Sequence, residues 1–188
     1  KTTYLHIIAS ALAQALRSGN SQAVQQHLGL HERLPLPILI PLSEFNKYRK
    51  QLSASHVARD GTLIAFISYW LIRQEAAIGL PDDFFERLLR QGHSCILLLD
   101  GLDEVANERE RAVVVEALKN VANNSGLRQI VVTCRTRAYR DNAVLPEEFR
   151  VAEVQPMTPE QVDALAARWC EAAYSPLDAE KESERLQQ

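Results

Sequence analysis

The sequence predicts an α/β fold in which a parallel sheet is covered by helices on both faces, and three observations lead there. Cys95-Ile96-Leu97-Leu98-Leu99 is an unbroken apolar run without polar alternation, the signature of a strand buried on both sides, and it stops at Asp100. A second apolar run, residues 129–135, follows across a segment of helical period, as expected for a crossover between parallel strands. The chain is 188 residues long, with 46% hydrophobic and 24% charged residues, enough for one well-buried domain and the start of another.

Taken in order, residues 4–16 place Leu5, Ile8, Leu12 and Leu16 on one helical face with alanines filling in, so a helix is expected from about Thr2. Gly19-Asn20-Ser21 ends it. Residues 21–28 read as a short helix or a turn. The run 34–42 is strand-like but carries Pro35, Pro37 and Pro41; proline cannot donate to a ladder, so this strand belongs at a sheet edge. Residues 43–58 show rising polarity and no clear period, with Phe45 and Tyr48 as anchors for a loop or short helix. A buried helix is expected over 62–74, and Pro81-Asp82-Asp83 opens another whose face carries Phe84, Phe85, Leu88 and Leu89 and whose stop is Gly92.

After the strand at 94–100, a charged helix is expected over about 107–123, burying Val113, Val114, Leu118 and Val121, with residues 108–111 as a solvated face. Asn123-Asn124-Ser125-Gly126 breaks it ahead of the strand at 129–135. Residues 149–154 alternate as a fourth strand would. Thr158 then caps a helix that has Pro159 in its first position, Glu160 and Gln161 behind, and Val162, Leu165, Ala166 and Trp169 on one face. The tail beyond Ser175-Pro176 is rich in Glu, Lys and Gln.

Composition excludes several classes of function. A formal net charge of -3 leaves no basic footprint for coating nucleic acid. The longest uncharged run, residues 61–72, is far short of the roughly 20 residues a membrane-spanning helix needs. Cys95, Cys134 and Cys170 are odd in number and far apart, which suits reduced thiols in a cytoplasmic setting rather than disulfides. No His or Cys pair has zinc-ligand spacing.

Chemistry concentrates where the apolar run ends. Asp100-Gly101-Leu102-Asp103-Glu104 places one carboxylate at the carboxyl end of a parallel strand, where such sheets present ligands, and returns two more to the same rim after a glycine turn. This order of hydrophobics, Asp, small residue, hydrophobic, Asp, Glu resembles the Walker B motif of the NACHT family of signal-transducing P-loop NTPases. Lys1-Thr2-Thr3, opening the first helix, is similar to the close of a Walker A loop, whose glycines would precede residue 1. Thr133-Cys134-Arg135 resembles the Thr-Ser-Arg end of the family's sensor strand, whose Arg senses the terminal phosphate, with Cys in place of Ser; Arg137 and Arg140 follow closely, which leaves open which of the three guanidinium groups reaches the phosphate. The stretch from Met157 to Trp169 is similar to the family's exit into a small helical subdomain.

The resemblance implies a three-layer α/β/α P-loop NTPase with sheet order 5-1-4-3-2. The first strand would lie before residue 1, the nucleotide-binding core over 1–155 and the start of a helical subdomain over 156–188. Lys1, Thr2 and Thr3 would bind the phosphates of ATP (or GTP), Thr2 and Asp100 would hold Mg2+, and Asp103, Glu104 and Arg135 would act in hydrolysis, with the two acids unranked. The implied function is a slowly hydrolysing ATP switch that controls self-association in signalling or defence. Effector and repeat-sensor domains would flank it as partners, without direct nucleic-acid or membrane binding. Two alternatives stay open: a switch that binds nucleotide without turnover, and a degenerate α/β scaffold.

Overall fold

The computed structural model describes residues 1–28, 34–52, 56, 61–74, 79–81, 83–90, 95–124, 127 and 129–173. The chain divides into two compact units, Lys1–Phe149 and Arg150–Gln188.

The first unit is built on a three-stranded parallel sheet in the order β1 (Leu36–Pro41), β2 (Cys95–Asp100), β3 (Gln129–Val132). The proline-bearing β1 lies at an edge, as its missing donors require. Pro41 pairs with Asp100 and Leu99 with Val132, so all three strands end at one rim.

Helix α1 (Thr2–Ser18) packs against β1 and β2, and with α2 (Gln22–Leu28) it forms one outer layer. Leu12, Ala15, Val24 and Leu34 are buried there, with Ile96 of β2 packed against them. Gly19 closes α1 in the left-handed conformation, with φ 70°, at no steric cost to a residue without Cβ. The buried stripe runs through Leu5, Leu12 and Ala15, while Leu16, expected on it, is 41% exposed.

On the opposite face, Ile38, Ile40, Leu97 and Leu99 alternate into the main core, which α3 (Leu42–Gln51), α4 (Leu63–Arg73), α5 (Phe84–Arg90) and α6 (Glu108–Asn124) cover. The two layers of helices about one sheet give the predicted α/β architecture. Thr62 caps α4 by accepting from the Ala65 amide at 3.2 Å. In α6 the buried set is Val114, Val115, Leu118 and Val121; Val113 lies off that face and is exposed.

Residues 43–51, which show no clear period in sequence, belong to α3. Its buried face carries Leu42, Phe45 and the polar Asn46, whose amide donates to Glu110 at 2.6 Å while Lys50 holds the same carboxylate at 2.8 Å. Glu110 is therefore a half-buried link between α3 and α6 rather than part of a solvated face. Asp82, Gly92, Ser125, Gly126 and the tail beyond Ser175 lie outside the described residues, as does most of the segment 52–60.

In the second unit, residues 150–158 take no regular secondary structure, which corrects the expected strand at 149–154. Val151 and Val154 are exposed. The physical reason is pairing: alternation alone supplies no ladder, and a strand without a hydrogen-bonded neighbour does not form. Helix α7 (Pro159–Ala173) begins with a reciprocal cap, in which the Thr158 hydroxyl accepts from the Gln161 amide and the Gln161 side chain accepts from the Thr158 amide. Its apolar residues Val162, Leu165 and Trp169 are exposed. Among the described residues no helix is long and apolar enough to cross a membrane.

Candidate functional site

The rim at the carboxyl ends of the strands is shaped by one glycine. Gly101 has φ 76°, a left-handed turn that other residues adopt at a cost of about 1–2 kcal/mol. The chain then enters a short 3-10 turn, Leu102–Glu104, in which Leu102 is buried, as is Val105 directly after it. Anchoring those two leaves Asp103 and Glu104 on the rim beside Asp100.

Thr133 locks this turn. Its amide donates to the Leu99 carbonyl and its carbonyl accepts from the Leu102 amide, both at 2.9 Å. Its hydroxyl donates to Asp100 Oδ1 at 2.5 Å and accepts from the Gly101 amide at 3.0 Å, using one proton and one lone pair. Sequence reasoning passed over this residue as a site component. The available signal was its place directly after β3, opposite Asp100 in the extended register.

Lys1 and Thr2 reach the same acids from the start of α1. Thr2 Oγ1 donates to Asp100 Oδ2 at 2.6 Å, across 98 positions of sequence. Lys1 Nζ lies 2.6 Å from Asp103 Oδ1, and Arg135 reaches Asp103 twice, with its amide to Oδ1 and Nε to Oδ2, each at 3.0 Å. Asp103 is thus held between two cations, with its side chain only 7% exposed. Thr3 is exposed and is not brought to the acids. Glu104 is exposed as well; its carboxyl lies over Gly101, where a Cβ would come within 2.7 Å of Cδ.

Burial pushes the Asp103 carboxyl upward, but the hydrogen bonds from Lys1 and from the Arg135 amide, with the attraction of the Lys1 charge, outweigh it and hold the acid below the ordinary carboxylate range. A depressed folded-state value means that the link stabilises the protein above the unfolded carboxylate range, and that this contribution is lost as pH falls through the folded value. Urea denaturation should show Asp103→Asn less stable than wild type at pH 7, with the gap narrowing as pH falls below the ordinary carboxylate value of about 4. A gap independent of pH would contradict this linkage.

The adjacent hydroxyl of Thr2 and carboxylate of Asp100 are hard oxygen donors of the kind Mg2+ takes. Among the described residues no group of three His, Cys, Asp or Glu forms a metal cage. The donor set fits an ion carried by phosphates and held by one or two protein oxygens, which is how magnesium is usually bound.

The rim therefore combines a lysine, a hydroxyl, three carboxylates and a strand-end arginine at the start of a helix and the ends of parallel strands. No curated protein and no solved structure matches the chain. The family model described as NACHT domain matches residues 1–173. With that match spanning nearly the whole chain and the parallel α/β sheet beneath it, this protein belongs to the NACHT family of P-loop NTPases, nucleotide-binding modules of signalling proteins.

Proposed function

We propose that this domain binds ATP with magnesium and works as a slowly hydrolysing switch whose nucleotide state controls self-association. The observation that carries the reading is the convergence of Lys1 and Thr2 on Asp103 and Asp100, residues about a hundred positions away. In this arrangement Lys1 neutralises Asp103; bound ATP would offer it the terminal phosphates instead. Exchange of one anion for another is a simple basis for a switch, because it frees Asp103 from one of its two cations and alters the turn that Thr133 holds.

Within that reading Thr2 and Asp100 hold Mg2+, which when bound offsets phosphate charge. Thr133 fixes Asp100 so that one carboxylate oxygen stays turned towards Thr2. The two acids left unranked by sequence take different roles. Asp103, paired with Lys1 and Arg135, is a poor proton acceptor and orients those cations. Glu104, exposed and with no ion pair to a described residue, is the group that can take a proton from an attacking water. Arg135, still 75% exposed, can swing towards the departing phosphoryl group.

The metal arm can be tested apart from turnover. In the complete polypeptide, ATP should bind at least about tenfold more tightly with Mg2+ than with EDTA, the scale of a lost metal partner. Thr2→Ala and Asp100→Asn should remove most of that difference. Equal affinities with and without Mg2+ in all three proteins would overturn the assignment.

A further inference from the structure

A cavity of about 340 Å³ is lined by four arginines, Arg111, Arg135, Arg137 and Arg140, together with Asp103 and Glu108, and Lys1, Thr2 and Asp100 are not in its lining. Arg135 is engaged by Asp103, which also holds Lys1. The side chains of Arg111, Arg137 and Arg140 make no ion pair with a described residue, and Arg111 Nε is buried without a hydrogen-bond partner. Glu108 is then the one carboxylate in the lining that no described cation neutralises. Three guanidinium groups around one small cavity repel one another within a Debye length, about 8 Å at physiological salt.

The backbone holds the cluster in place. Two 3-10 turns follow β3: Thr136–Ala138, which carries Arg137, and Asp141–Ala143, which Arg140 directly precedes. Ala143 is buried and its turn packs against α6, the helix that bears Arg111 in its first turns. Asp141 has φ 51° and is the one non-glycine residue with positive φ among the described residues, so the turn keeps a conformation that is unfavourable locally. Planar, always-charged guanidinium forks are the side chains best matched to a tetrahedral oxyanion.

We propose that Arg111, Arg137 and Arg140 form a site for free inorganic phosphate, separate from the position of the terminal phosphate of bound ATP. That the anion is phosphate rests on the nucleotide-hydrolysing reading above. In that reaction a water oxygen bonds to the γ-phosphorus, the bond from that phosphorus to the bridging oxygen breaks, and ADP, inorganic phosphate and a proton result. The cavity, opening beside Asp103, receives the phosphate before it reaches solvent.

The probe is inorganic phosphate itself, titrated calorimetrically into the complete polypeptide with and without a non-hydrolysable ATP analogue. Wild type should bind phosphate in both conditions. The double variant Arg137→Ala/Arg140→Ala should bind it about tenfold more weakly or worse, the scale of one lost charge-assisted hydrogen bond. Both positions are exposed, so the variant should melt as wild type does; Arg111→Gln gives a second route to the same loss. No phosphate binding by wild type, or equal binding by the double variant, overturns the proposal. Phosphate displaced by the analogue would place it at the terminal-phosphate position, overturning the cavity site while leaving the nucleotide reading intact. Phosphate binding as expected in a protein that takes no ATP would uphold the anion site and sink the nucleotide reading.

Discussion

Glu104→Gln should reduce single-turnover ATP hydrolysis by about 100-fold or more, the contribution of a positioned general base, while ATP affinity changes by no more than a few-fold. The asymmetry follows from geometry. The Glu104 carboxyl lies over Gly101 on the exposed side of the turn, whereas phosphate and metal are assigned to Lys1, Thr2 and Asp100. A protein that binds ATP without hydrolysing it should gather in the assembled form, which sedimentation can follow. Asp103→Asn should behave differently, because it releases both Lys1 and Arg135. Equal, very slow hydrolysis by wild type and Glu104→Gln with normal ATP binding would favour a switch that binds without turnover.

The second large effect lies in the core. Phe66 of α4 is 1% exposed, and its ring centroid lies 5.4 Å from Phe45, 5.2 Å from Tyr48 and 5.8 Å from Trp70. These residues belong to the layer that supports Leu97 and Leu99, and hence the strand that delivers Asp100. Phe66→Ala removes a buried aromatic and leaves a cavity, a change of about 3–5 kcal/mol. Against the roughly 5–15 kcal/mol of a typical domain, that is enough to unfold part of the population at 37 °C. Urea denaturation followed by tryptophan fluorescence measures the loss, and Phe66→Leu should recover part of it. An unchanged midpoint in Phe66→Ala would mean that this cluster does not support the sheet.

The parts of the fold that were legible in sequence are those decided locally. The buried strand at Cys95–Asp100 shows as an apolar run, the α1 stop as Gly19, and the α7 start as Thr158 with Gln161. Proline content alone put β1 at the edge. What was not legible depends on partners distant in sequence. Helix α3 hid because Asn46 occupies its buried face, satisfied only by Glu110 of α6. Residues 149–154 have a strand's alternation, but alternation does not supply a neighbour to pair with. Thr133 stood inside a recognised tripeptide, yet its hold on Asp100 appears only when β2 and β3 are set in register. The arginines of the cavity come from two segments, and no spacing rule joins Arg111 to Arg137 and Arg140.

Lys1, brought to the strand-end acids by the fold, is the residue we propose to bind the nucleotide phosphates. The direct test of that role is the equilibrium affinity of the complete polypeptide for ATP in Mg2+, wild type against Lys1→Ala, with urea denaturation as the control for folding. Loss of a charged partner to the terminal phosphates should weaken ATP binding by about tenfold to a hundredfold, or roughly 1.4–2.8 kcal/mol, while the variant remains folded. Failure of the folded wild type to bind ATP, or equal affinity in Lys1→Ala, would contradict it.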